Sequence, residues 1–297
     1  MDEEVGPISG VSRPEWTSED QFYISDKAKD LLVNYSGILD TNIRSYSVAV
    51  RDKAWKIFPY RCIGTFRFLD FSLIRNPAYG EILTRIKRGQ KFLDIGCCLG
   101  SDIRALLYDG APACNVFGLD IEAEFINLGY DLFVDEEKLA RHHFRITSIF
   151  DQTITCPDGT LGDLAGNIDI AHCGAFLHLF EWDGQVRAIE KIISEILVQN
   201  PGCLLLGRQK GCKVPGTYNH SFREQKSYGH NETSFKAMWK EIGDRTGTDW
   251  KVDFTFEGDL IDGSGESSRL VILKSGSNTE GDRQVVQNFS FKAERVK

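Results

Sequence analysis

Lys91-Phe92-Leu93-Asp94-Ile95-Gly96-Cys97-Cys98-Leu99-Gly100 decides the fold, and Asp120 follows its last glycine by twenty residues. The apolar run 92–95 reads as a buried strand, the glycines as a turn, and the residues after Gly100 as the start of a helix. A second strand, Val116-Phe117-Gly118-Leu119, ends in that acid. Such an arrangement makes a nucleotide-type cofactor site. The turn admits a ligand to the backbone, the helix N-terminus favours an anionic group, and the acid accepts from ribose hydroxyls.

Working outward, strands alternate with helices. Tyr79–Arg88 reads as a helix feeding the first strand, and Glu122–Phe133 as the helix after the second. His143–Thr147 is the third strand, Pro157–Gly166 a loop with a short helix, and 168–173 the fourth strand. Gln185–Val198 is an amphipathic helix stopped by Asn200-Pro201-Gly202, and Cys203–Gly207 is apolar throughout, as a central parallel strand is. Ser234–Thr246 is helical; 249–256 and 270–273 close the order as two strands. The expectation is an α/β fold: a mostly parallel seven-stranded, Rossmann-like sheet with an antiparallel edge hairpin. Residues 1–20 read as a mobile segment, 21–88 as an N-terminal helical cap, 89–275 as the cofactor-binding domain, and 276–297 as a polar tail.

Composition narrows the partners. The 297 residues carry a net charge of -8, with no concentrated basic patch for nucleic acid, so the expected partner is a small molecule. The eight cysteines include no CxxC pair and no zinc spacing, and no metal is expected. Met1-Asp2-Glu3-Glu4 opens no signal peptide, and no apolar run approaches the roughly 18 residues of a membrane span. A cytoplasmic protein with reduced thiols is the expectation.

The glycine turn alone would serve NAD or S-adenosylmethionine. Gly96 and Gly100 do not give G-x-G-x-x-G, Asp94 is awkward beside a pyrophosphate, and a closing hairpin is unlike a dehydrogenase. Asp94 suits a cationic ligand, and S-adenosylmethionine is the better reading. Asp94 then meets the amino group, Gly96, Cys98 and Gly100 pass beneath the methionine end, and Asp120 accepts from the ribose. Ile121, Ile149 and Phe150 wall the adenine, and Ser148 or Asp151 reaches its amine. Cys173 ends the fourth strand beside the cofactor. Helix capping by Asp120 and core packing by Phe150 are the plainer alternatives.

The sequence resembles the fungal S-adenosylmethionine-dependent methyltransferases of meroterpenoid pathways, such as those for austinol, andrastin and terretonin. The resemblance spans about 25–275. It rests on Pro59-Tyr60-Arg61-Cys62-Ile63, Phe66-Arg67-Phe68-Leu69, Phe92 through Arg104, Asp109-Gly110-Ala111-Pro112, Phe176 through Trp182, Gly207-Arg208-Gln209, and Thr246-Gly247-Thr248 with Trp250. It implies a class I methyltransferase fold, a homodimer, and O-methylation of the carboxylate of a farnesylated, dimethylorsellinate-derived aromatic acid. Ser148 departs from the acid that many class I enzymes carry there.

Methyl transfer to an ionised carboxylate needs no general base, whereas a phenol needs one, for which His172, His178 and His220 are candidates. Arg208 and Gln209 end the fifth strand, where open α/β sheets place ligand contacts, and Arg208 can pair with a carboxylate. His178 and Arg208 are the expected catalytic residues. Tyr46, Phe66, Gln209, Phe235 and Trp239 are the expected substrate contacts under the cap, with core packing as the alternative for the aromatics. A phenolic or carbon acceptor, or a silent scaffold of the same fold, remain the competing readings.

Overall fold

The computed structural model describes residues 22–219, 226–257, 270–273 and 283–297. The cap begins with α1 (Asp26–Asn34), started by the Ser25 hydroxyl, which accepts from the Ala28 N–H at 3.2 Å. Helix α2 (Ile43–Ile57) buries Ile43, Ser47, Val50, Arg51 and Ala54 along one stripe and stops before Pro59. The aromatic stretch after it folds as a short helix, α3 (Arg61–Gly64), and a tight turn over Arg67–Leu69.

Next come α4 (Tyr79–Lys87), β1 (Phe92–Ile95), α5 (Ser101–Tyr108), β2 (Val116–Asp120), α6 (Ala123–Phe133), β3 (Phe144–Ile146) and β4 (Ile170–Gly174). They are followed by α7 (Trp182–Lys191), β5 (Leu204–Cys212), a small hairpin of β6 (Gly216–Asn219) and β7 (Lys226–Gly229), and α8 (Glu232–Thr246). The chain closes with β8 (Trp250–Phe256), β9 (Leu270–Leu273) and β10 (Arg283–Arg295). Strands cross the main sheet in the order β3-β2-β1-β4-β5-β10-β8, with β9 paired to β10. The first five are parallel, and β10 runs antiparallel to both β5 and β8. The order reverses between β1 and β4, which opens a crevice at their C-terminal ends.

The strands bury both faces. Phe92, Ile170, Leu204 and Leu206 pack with Ile82 and Ile86 of α4 and Ile103 and Leu106 of α5. Leu93, Ile95, Ala171 and Leu205 pack with Val186 and Ile189 of α7 and Phe235, Met238 and Ile242 of α8. A third cluster joins the cap to α5, α6 and the cofactor turn: Leu31, Val50, Ile63 and Phe66 meet Leu99, Ala105, Phe125 and Leu128. These helices therefore pack on the turn. No helix of the described residues is long and apolar enough to cross a membrane.

Three details differ from the sequence reading. Residues 157–166 form hydrogen-bonded turns, with the Leu161 N–H donating to Ile154 O at 2.7 Å, instead of a short helix. Helix α7 ends at Lys191 and widens into a π-helical turn over Ile192–Ile196. The polar tail from 276 contains β10, and β10, not 270–273, pairs with both β5 and β8. Its polar residues alternate with Phe289, Phe291 and Ala293, which are buried in the core. That period of two is the strand signal that net polarity concealed.

Candidate active site

The turn after β1 is held in a shape that few side chains adopt. Gly96 and Gly100 have φ of 73° and 66°, and Cys98, without a glycine's freedom, sits at 51°. What holds Cys98 there is its N–H, which donates to Asp120 Oδ2 at 2.7 Å. The other oxygen of Asp120 accepts from the Glu122 N–H at 3.0 Å. Asp120 thus locks the turn to the end of β2, while the cap of α6 is Glu122. Burial raises the Asp120 pKa, and the two amide N–H groups oppose that rise.

The paired cysteines do different work. The Cys97 sulfur packs against β2 where a Cβ on Gly118 would lie 2.9 Å away, so a small residue faces a glycine across the strands. Cys98 turns toward the cap and packs in its apolar cluster with Cys62. Burial raises both thiols well above their ordinary range, which makes them packing groups and not nucleophiles.

The expected cofactor residues fall in two groups. Asp94 is 4% exposed and lies at the end of β1, 2.8 Å from His172 Nδ1. Ile121 is exposed, beside Asp120. Ser148 accepts from the Phe150 N–H at 3.2 Å, and Phe150, half-buried, packs edge-on against Phe180. Asp151 spends its carboxylate on the Thr153 N–H and hydroxyl. Ile149 and Cys173, by contrast, have their side chains in the core beneath α7. What β4 offers the crevice is Gly174 and the exposed Ala175, at φ 56°.

The expected substrate contacts change more. Tyr46 donates its hydroxyl to the Asp131 carbonyl and ties α2 to α6. Phe66 is buried inside the cap, under the Arg51 guanidinium. Phe235 and Trp239 are core residues between α8 and the sheet, because the apolar stripe of α8 faces inward. Gln209 is buried with neither amide atom hydrogen-bonded. His178 is buried in the turn that follows β4, at the rim of the crevice, and His220 lies outside the described residues.

Arg208 is partly committed. Its Nε donates to Glu257 at 2.6 and 2.8 Å, and Ser290 holds the same carboxylate at 2.7 Å. Its Nη2 is buried without a hydrogen-bond partner.

The family profile "Meroterpenoid methyltransferase N-terminal domain" matches residues 16–69. O-methyltransferase phiE of a fungal species is 38% identical over 75% of this chain and 73% of its own. Methyltransferase trt5 of Aspergillus terreus is 35% identical over 75% and 78%, and adrK of Penicillium rubens 32% over 84% and 88%. The chain belongs to the fungal meroterpenoid methyltransferases. Among solved structures, the N-terminal domain of EvdMO1 with SAH bound is 11% identical, with a TM-score of 0.48 over 84% of this chain and 96% of that one.

S-adenosylmethionine is the methyl donor expected for this meroterpenoid methyltransferase. The residues present fit it. A buried acid stands ready for an ammonium, a second acid stands at the end of β2, and the turn between them carries no bulky side chain at Gly96. A Cβ at Gly96 would lie 2.5 Å from the Phe176 ring, so that side chain covers the turn from the β4 side.

Sequence reasoning missed one residue beside Arg208. Lys210 lies two positions beyond Arg208 on the same face of β5, with no hydrogen-bond or ion-pair partner among the described residues. Its pKa is lowered, first by burial, with Cys62 opposing and Arg61 and Arg67 adding to the fall. The Arg208 pKa is lowered by burial too, with Glu257 opposing and Arg75 and Arg67 adding. A second positive charge, six residues into a β-strand that opens with an apolar run, was the available signal.

Proposed function

We propose that this methyltransferase transfers the methyl group of S-adenosylmethionine to the carboxylate of a prenylated aromatic acid of the farnesylated dimethylorsellinate type. The observation that carries the carboxylate is Arg208. A buried guanidinium nitrogen without a partner costs stability, and it lies on β5 opposite Gly174, at the crevice where the parallel strands end. An anionic acceptor oxygen restores that missing hydrogen bond, and Lys210 adds charge on the same side.

The donor supplies an electrophilic methyl on a sulfonium. The protein's part is to orient, to desolvate and to keep water out. Asp94 receives the ammonium and Asp120 the ribose, which fixes where the methyl group points. The cap covers the turn with aromatic and aliphatic side chains suited to a prenylated ligand. A carboxylate acceptor is ionised near neutral pH, so no step asks a residue to take a proton. His178, buried beside the end of β4, is the base that a phenolic acceptor would require.

Incubation with S-adenosylmethionine carrying a labelled methyl group and a panel of prenylated aromatic acids tests the reading. Labelled ester in the NMR spectrum of the product is expected. A labelled ether or carbon-bound methyl overturns the carboxylate assignment.

A further inference from the structure

On the face of the sheet under α4 and α5, Phe92, Ile170, Leu204 and Leu206 make an apolar floor, and two polar side chains stand beside them. Asp94 of β1 and His172 of β4 are register partners, and both side chains are almost wholly buried. His172 Nδ1 lies 2.8 Å from the Asp94 carboxylate, which can only accept, so that nitrogen carries the proton. Desolvating a buried acid and imidazole is costly, and an apolar pair of similar size is often as stable.

A second carboxylate stands near the same imidazole. Asp102, in the first turn of α5, brings its oxygen, Asp94 and a His172 nitrogen within 4.8 Å of one another. Asp102 in turn accepts from the Ser72 hydroxyl at 2.8 Å and from the Leu73 N–H at 3.0 Å. Ser72 and Leu73 belong to the segment that leads out of the cap. Gly174 makes room for this contact: a Cβ there would lie 2.7 Å from His172 Cε1 and 3.2 Å from Ser72 Oγ. Burial by itself lowers the His172 pKa, but the charge and hydrogen bond of Asp94 and the charge of Asp102 outweigh it, and the result is raised. Phe92, stacked on the ring, adds no charge.

We propose that His172 is a positioning residue for the amino-acid end of the cofactor. It holds the Asp94 carboxylate in the orientation that meets the ammonium, and it joins that carboxylate, through Asp102, to Ser72 and Leu73 of the cap exit. This rests on Asp94 being the ammonium-binding acid.

The test compares two ligands by calorimetry. S-adenosylhomocysteine has the amino-acid end, and 5′-methylthioadenosine lacks it. His172→Leu is expected to weaken S-adenosylhomocysteine about tenfold or more while leaving 5′-methylthioadenosine within about twofold, the loss of one hydrogen bond to a charged group. His172→Asn, which can place an amide N–H near the Nδ1 position, is expected to recover most of that affinity. Equal weakening of both ligands, or of neither, overturns the proposal, because a merely structural histidine would not separate them. If His172→Leu does not fold, Ser72→Ala cuts the same chain at its cap end; an unchanged affinity ratio there overturns the proposal as well. Asp94→Asn keeps the two failures apart. If it leaves S-adenosylhomocysteine unaffected, the ammonium reading itself falls; if it weakens that ligand alone while His172→Leu does not, only the role of His172 falls.

Discussion

Arg104 carries a full charge with no exposure at all. Its guanidinium donates to both oxygens of Asp135, at 2.9 and 3.1 Å, and to the Leu99 carbonyl in the cofactor turn at 3.0 Å. The rings of Phe144, Tyr130 and Phe133 close around it at 4.7, 4.9 and 5.2 Å. Gly100 and Gly129 are its complement, since a Cβ on either would meet its Nη1 at 2.4 or 3.2 Å. Arg104→Met leaves Asp135 buried with only the Tyr35 hydroxyl, and a loss of about 3–5 kcal/mol is expected in urea unfolding. Asp135→Asn added to it should recover part of that loss, and a cost below about 1 kcal/mol for the single change would sink the account. Residue patterns made Asp94, Gly96, Gly100 and Asp120 legible, because strand, turn and acid are close in sequence. Arg104 and Asp135 are 31 residues apart, and the pairing of Asp94 with His172 spans 78, so no local pattern announces either.

At the scale of elements, helical periodicity told which face of α8 is apolar but not what that face meets. Phe235 and Trp239 therefore read equally as pocket wall and as core, and the core claimed them. The start of α8 holds a titratable group in the same apolar setting. His230 is fully buried among Trp182, Tyr228 and Phe235, and its Nδ1 lies 3.1 Å from the Ser234 hydroxyl. Burial pushes its pKa down to about 3. The unfolded chain takes up this proton below pH about 6.5, whereas the folded chain resists it, so stability falls as pH falls through that window. His172, with a raised pKa, works in the opposite sense: its contribution is complete below pH about 6.5 and is lost as pH rises through the folded value. Comparison of wild type with His230→Asn isolates the first effect. Between pH 6.5 and 5, wild type should lose about 2 kcal/mol more than the variant, measured by urea unfolding at each pH. Parallel curves for the two proteins would show that His230 is not held neutral.

For the whole molecule, the alternation of strands and helices gave the parallel half of the sheet, because each β-α unit is contiguous in sequence. The antiparallel half was harder. The alternating β8 and the apolar 270–273 read as a hairpin since a turn-rich stretch separates them in the sequence, yet the strand between β5 and β8 is β10. Strand β10 is polar at every second position, so its mean composition reads as a tail. Its inward residues carry the argument: Phe289 and Phe291 are 0% and 2% exposed, and Phe289 stacks on Phe254 of β8 with ring centroids 4.2 Å apart. Removing 283–297 would strip β5 of its antiparallel neighbour along its whole length, and β8 of the strand that joins it to the sheet. Two exposed apolar edges result, and such edges pair between chains. The truncated chain is expected to be recovered as aggregate. Phe289→Ala keeps every backbone hydrogen bond of β10 and is expected to cost about 3–5 kcal/mol, with the protein still folded. A monomeric truncated chain with the unfolding midpoint of wild type would show that β10 is an accessory strand and not part of the core that supports the crevice.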